Sequence, residues 1–293
     1  MTKRRREASA EQMKAPDLRR LSKISISLAY YLVTSVARSV LRLAGRPAAE
    51  RLTILYYHGV PASCRSDFAR QMAALNRGAI VVPAGFRGRL PASRGKKCVA
   101  VTFDDAFVSF AENGIPELEK FAFPSTVFVP VAWMGQTPGW ELEAALPGSA
   151  EQAELSEVVM SSAQLRALSP NVSLGSHTMT HPHLPQLGPQ SVREEIERSR
   201  VELARSSGRE IDELSFPYGE HDASTVVACQ TAGYTTVYSI IPEEVDTMRP
   251  KLVRGRTKID LSDGPIEFFL KYHGSYEWMR HKARLSKALL PRK

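Results

Sequence analysis

Two patterns in the 293-residue sequence predict an α/β protein whose parallel strands form a (β/α) barrel. The first is alternation: short, β-branched apolar runs are separated by stretches of helical character. The runs are apolar throughout instead of at every second residue, as expected of a parallel sheet covered on both faces. The second pattern lies at the ends of the runs. His58, Asp104-Asp105, His177, Pro217-Tyr218 and Arg254 or Arg256 each stand at or just after a strand. In a (β/α) barrel such positions all fall on one rim, where active sites are built.

The elements are read in chain order. Residues 1–20 are polar and basic, with Lys3-Arg4-Arg5-Arg6 and Arg19-Arg20. From Ser22 to Gly45 the chain reads as an amphipathic helix: Ile26, Tyr30, Val33, Val36, Ala37, Val40 and Leu43 share one broad face, and Ser27, Thr34, Ser35, Arg38 and Arg42 the other. Its unbroken run of apolar and small residues, Ile24 to Ala37, is shorter than the ~20 residues that span a bilayer. Basic flanks suit a helix lying in a membrane interface. Packing against the protein body, or an uncleaved secretory anchor, are the rivals. The first strand is Leu52 to Tyr57, succeeded by a helix from Asp67 to Asn76 and a small strand at Ile80–Val82. After a loop over 84–96 comes the strand ending at Phe103, then a helix from Phe107 to Phe121 interrupted by Pro116. Pro124–Pro130 is a strand, and 131–160 is a long excursion without a period. Ser161 with Gln164, and Ser191 with Glu194, read as capping boxes that open helices. Strands at Val172–Gly175, Glu213–Phe216 and Tyr234–Tyr238, a helix at Ser224–Ala232 and a last strand from Leu252 complete the pattern. Three segments result: a basic tail and helix at 1–50, a barrel at 51–279 and a basic tail at 280–293.

The net charge of +8 belongs to the ends. Residues 1–50 hold 11 Lys/Arg against 4 Asp/Glu, and 280–293 hold 6 basic residues and no acid, leaving 51–279 with 22 basic against 27 acidic residues. Basic termini suit an anionic membrane surface. An acidic body argues against nucleic acid. Cys64, Cys98 and Cys229 form no CxxC and predict neither a disulfide framework nor a thiolate metal site.

The stretch Val99-Ala100-Val101-Thr102-Phe103-Asp104-Asp105 concentrates the chemistry. Adjacent carboxylates repel unless a cation or a division of labour relieves them. One Asp on a metal and the other free as a base is the economical arrangement. His177 and His181 are four apart, and Pro182 stops a continuing helix, yet a single turn still aims both imidazoles at one point. Two His and one carboxylate make a three-ligand site with open positions, the layout of a catalytic divalent metal such as Zn²⁺. His183 reads as a bystander.

Thr102-Phe103-Asp104-Asp105, Gly175-Ser176-His177-Thr178-Met179-Thr180-His181-Pro182 and Phe216-Pro217-Tyr218-Gly219, in that order, resemble the polysaccharide deacetylases, the NodB-homology proteins of carbohydrate esterase family 4. The likeness runs from about Leu52 to at least Thr257. It implies a distorted (β/α)7 barrel that removes N-acetyl groups from a sugar with a divalent metal, zinc being the expected one. It also implies that Asp104 is the general base, that Asp105, His177 and His181 are the metal ligands, and that the Tyr218 N–H helps hold the oxyanion. The Tyr218 ring and Pro217 would form a wall of the sugar site.

The sequence departs from that family at two places. Ser215 stands where the third motif commonly has an Arg that pairs with the base, and no Leu-x-His acid comes after Leu252. Arg254 or Arg256 could supply the missing Arg, and His58 the acid or an orienting group. The expectation is a deacetylase of a surface or lipid-linked glycan. The alternatives are a carbohydrate-binding protein on a degenerate barrel and a deacylase of a non-sugar amide. The termini predict membrane association. The absence of a clear cleavage site points to the cytoplasmic face, whereas the family often works outside, so a periplasmic or extracellular setting stays open.

Overall fold

Ten strand segments make one sheet in the computed structural model, which describes residues 18–46, 50–92, 95–140 and 157–281. In chain order they are β1 (Leu52–Tyr57), β2 (Ala79–Val81), β3 (Lys97–Phe103), β4 (Ser125–Val129), β5 (Val172–Ser176), β6 (Glu213–Ser215), β7 (Thr236–Ser239), β8 (Glu244–Val245), β9 (Val253–Gly255) and β10 (Thr257–Lys258). The spatial order is β10-β1-β3-β4-β5-β6-β7-β9, parallel throughout. β9 pairs with β7, and β10, beginning two residues after β9 ends, pairs with β1. One extended segment, 253–258, therefore joins the two ends of the sheet, with Arg256 at the point where it changes partner. Counting that segment once, the barrel has seven positions, as the family resemblance implies. β8 runs antiparallel beside the start of β1, and β2 lies beside the start of β3.

Strand alternation divides the core in two. Leu52, Ile54, Cys98, Ala100, Phe128 and Tyr238 point into the barrel, where Val82, Ala84 and Leu90 of the loop after β2 plug its lower end. Leu55, Tyr57, Val99, Val101, Phe103, Val127 and Val237 point outward into the larger cluster under the helices.

Seven α-helices among the described residues flank the sheet: α1 (Leu18–Leu43), α2 (Arg65–Gly78), α3 (Ile115–Glu119), α4 (Ser162–Ala167), α5 (Pro189–Ser207), α6 (Ala223–Thr231) and α7 (Pro265–Tyr272). The Ser161–Gln164 capping box is present at α4. The one read at Ser191 is not: α5 starts three residues earlier, with Gly188 as N-cap and Pro189 in its first turn. Proline fixes the helical φ and needs no N–H partner there, so it sets the start. The helix expected over 107–121 is present from 108 to 119, with a π-segment at Phe110–Gly114 running directly into α3. Pro116 has no N–H to donate and crowds the carbonyl four residues back, which widens the preceding turn.

α1 lies along the outside of the barrel. Near its start, Arg20 bonds Ser262 O, Asp263 and Glu267, just beyond the upper end of β10. Near its end, Arg38 pairs with Glu244 of β8, beside the lower end of β1. The helix thus runs antiparallel to the strands. The basic stretches 1–17 and 282–293 and most of the excursion, 141–156, lie outside the described residues.

Candidate active site

Two neighbouring carboxylates part company at the end of β3. The Asp104 N–H donates to Tyr57 O at 2.9 Å, prolonging the ladder with β1. Asp105 and Ala106 then adopt φ of 68° and 52°, and the carboxylates come to face different partners. Asp104 accepts a fork from Arg256: Nη1 to Oδ1 at 2.7 Å and Nη2 to Oδ2 at 2.8 Å, with both side chains buried. The guanidinium also donates to Thr102 Oγ1 at 3.2 Å and Ser215 Oγ at 2.7 Å, and it lies 4.7 Å from the Tyr56 ring centroid. Burial by itself would raise the Asp104 carboxyl. Arg256 outweighs it and holds the group down at about 2.

Asp105 faces the two histidines. Its Oδ1 is 3.6 Å from His177 Nε2 and 3.5 Å from His181 Nε2. One ligand atom from each of the three residues lies within 4.8 Å of the other two. His177 Nδ1 sits 2.8 Å from Ser215 O; a carbonyl only accepts, so Nδ1 carries the proton and the Nε2 lone pair faces Asp105. Burial lowers both imidazoles, His181 to about 2, so each is neutral. The Nε2 lone pair of His177, a neutral His181 imidazole and a carboxylate thus converge. A tetrahedral ion with bonds of about 2.0–2.1 Å sets its ligand atoms roughly 3.4 Å apart, close to the Asp105–His spacings. The residues fit a divalent metal.

The turn carrying His181 is tightly held. Glu195 of α5 accepts from Met179 N at 2.9 Å, Thr180 N at 2.8 Å and Thr180 Oγ1 at 2.7 Å. Thr178 and His181 have φ of 66° and 63°. With Asp105, Ala106 and Tyr218 (φ 57°), they make five of the six non-glycine residues with positive φ among the described residues. Such backbone costs of order 1–3 kcal/mol per residue and persists where surrounding contacts enforce it.

Aromatic rings wall the site. Tyr218 meets His181 edge-on at 4.8 Å and stacks on His183 at 3.9 Å, and Pro217 is buried in the same turn. His183 pairs with Glu220 at 2.9 Å. Trp140, on the excursion before α4, stacks on His181 with centroids 4.2 Å apart. No period or motif in the sequence singles out Trp140 or Glu195; a Trp in an aperiodic stretch was the one available signal. His58 is half-buried at the rim, edge-on to Tyr56, and burial lowers its imidazole to about 4.

Of the two candidate arginines, only Arg256 reaches Asp104. Arg254 faces the plugged end of the barrel, where Nη1 donates to Ala84 O at 2.7 Å and Phe86 O at 3.1 Å. Both side chains point inward because they are two residues apart on one strand, and the lower one is spent on the plug.

Residues 92–237 match the family profile described as polysaccharide deacetylase. The barrel belongs to the polysaccharide deacetylase family. Over 139 residues the chain is 24% identical to YxkH of Bacillus subtilis, described as a putative polysaccharide deacetylase. That match covers 47% of this chain and 43% of YxkH, so it spans less than half of that relative. The deacetylase PplD of Streptococcus pyogenes, solved with acetate, has the same fold: TM-score 0.61 at 20% identity, over 77% of this chain and 99% of that one. IcaB from Ammonifex degensii gives 0.61 at 22%, over 78% and 98%. The profile match takes in Asp104, Asp105, His177, His181 and Tyr218 of this chain. It omits β1 with His58 and the closing segment with Arg256.

Proposed function

We propose that this deacetylase hydrolyses N-acetyl groups on a sugar of a surface or lipid-linked glycan, using one divalent metal held by Asp105, His177 and His181. The observation that carries the reading is the division of the paired carboxylates: one faces two neutral imidazoles, and the other is kept ionised by a buried arginine. Two imidazoles and a carboxylate suit zinc. When bound, the metal would polarise the acetyl carbonyl and lower the pKa of a water.

The chain's own residues do the rest. Asp104 accepts the proton of the attacking water as general base, and Arg256 keeps it charged and oriented. The Tyr218 N–H is assigned to the developing oxyanion. The Tyr218 ring, Pro217 and Trp140 form the wall against the sugar. A His58 imidazole lowered to about 4 is neutral near pH 7, which suits a hydrogen-bonding group at the rim better than an imidazolium acid. The exposed apolar face of α1 and the basic ends of the chain support action at an anionic membrane surface.

The test is acetate release from N-acetylglucosamine oligomers by purified protein, with metal content measured in parallel. Asp104→Asn keeps its metal and loses about 10²–10⁴-fold in kcat. His177→Ala loses both metal and activity, and chelation and then zinc restores the wild type alone. Release that survives all three treatments overturns the reading.

A further inference from the structure

α1 is amphipathic in the reverse sense to a helix that completes a core. Its polar side faces the barrel. Arg20 is bonded to Asp263 and Glu267, and Arg38 to Glu244. Ser27, buried on the same side, accepts from Trp278 Nε1 at 2.9 Å, and Tyr31 packs edge-on against Phe269 and His273. The outward side is apolar: Leu21, Leu28, Leu32, Val33, Val36 and Val40 are all exposed, Val33 by 69%. An amphipathic helix gains most of its stability by covering its apolar side. Here the barrel covers the other one.

By length and composition α1 could cross a bilayer, but its docking opposes that. Arg20 and Arg38 are 18 residues apart, roughly 27 Å along a helix, so the helix is fastened to the barrel over nearly the thickness of a hydrocarbon core. A spanning α1 would have to release both arginines and leave Glu244, Asp263 and Glu267 without those cations. Lying in the plane of the surface keeps every ion pair and covers the apolar face. Lys23, Arg42 and Arg46 are exposed along the helix and at its end, and exposed Ile266 of the adjoining α7 adds to the apolar surface. This charge and pattern match an anionic lipid surface.

We infer that α1 lies flat in the interface of an anionic bilayer while docked, so that the barrel rests on its side and its catalytic rim opens along the membrane at the level of the headgroups. The orientation comes from the course of α1, which runs parallel to the barrel axis with its first turn beside the catalytic rim and its last beside the plugged end. It rests on the proposed action at a membrane surface. It favours a glycan held close to the bilayer, as on a lipid carrier, over one standing far from it.

Spin labels placed one at a time at Leu21 and Val40 test the inference in full-length protein with Cys64→Ser. The two sites are 19 residues, about 28 Å, apart along the helix. Power saturation on phosphatidylglycerol/phosphatidylcholine vesicles should give both labels the same shallow immersion, within about 5 Å. The double variant Val33→Glu/Val36→Glu should lose at least tenfold in vesicle binding while keeping acetate release from soluble oligomers. A depth gradient ending near the bilayer centre overturns the in-plane geometry and leaves the membrane reading standing. No immersion at either site, or protein that instead dimerises through α1 in solution, overturns both. Equal binding to pure phosphatidylcholine removes the anionic requirement and overturns the inference as stated.

Discussion

Arg256 contributes two hydrogen bonds to Asp104, one to Ser215 Oγ and a ring face against Tyr56, all out of contact with water. Removing one partner of a buried ion pair typically costs 3–5 kcal/mol, because the other is left charged without a counter-ion. Arg256→Met is therefore expected to lower kcat/KM by at least about 10²-fold, with Arg256→Lys intermediate because an ammonium cannot make the fork. The acid limb carries a second signature. In the wild type the Asp104 carboxyl lies below its unfolded value, so its contribution to stability is present above about pH 4 and is lost as pH falls towards 2. Without Arg256 burial wins and the carboxyl rises, so stability should fall as pH increases through the raised value. Urea unfolding between pH 3 and 7 reads the change of sign. The sequence narrowed the partner of Asp104 to two arginines and no further, since residues two apart on a strand share a face and only their depth differs. Ser215, which looked like a loss, is what leaves room: its small side chain meets Arg256 Nη2 at the spot a longer one would fill.

At the level of elements, the strands and the HxxxH turn were legible because apolar runs and metal-ligand spacing are local signals. The support of that turn was not. Glu195 lies on α5, 14 residues beyond His181, and reads in sequence as one more charge on a polar helix face. In the fold it caps the turn with three hydrogen bonds. Glu195→Ala should lower metal affinity by about 10–100-fold, as changes behind metal ligands typically do, while Glu195→Gln retains part of it through its carbonyl oxygen. Zinc titration against a competing chelator measures both. Trp140 was hidden for a related reason. The excursion has no period, so nothing in its pattern announces that one ring lies on His181.

On the scale of the whole molecule, a parallel barrel was legible in the apolar strands and its seven positions followed from the family resemblance, but the way it closes was not. Gly255 stands next to the change of partner at Arg256. A Cβ there would lie 2.0 Å from Ile241 O and 2.7 Å from Glu243 Cβ, and the backbone oxygen cannot simply turn aside. Gly255→Ala is expected to cost about 1–3 kcal/mol and to reduce activity beyond the loss of folded protein, which thermal melts and acetate release together resolve. At the plugged end, burial raises the Glu213 carboxyl to about 7, opposed in part by its bond from Tyr238 Oη. A folded-state value above the unfolded one means stability is fullest below about pH 4 and declines as pH rises through 7. Glu213→Gln should flatten that decline and gain roughly 1–3 kcal/mol at pH 8–9, measured by chemical denaturation across the range.

The 152 residues between Asp104 and Arg256 also set an order of events during synthesis. At about 5–20 residues per second, the ribosome makes Asp104 some 8–30 s before the arginine that neutralises it. Until then the nascent barrel is an open sheet holding adjacent carboxylates at the end of β3, with no guanidinium to hold Asp104. The last strand to be translated both shuts the barrel and charges its active site. An unfinished chain is an inactive one.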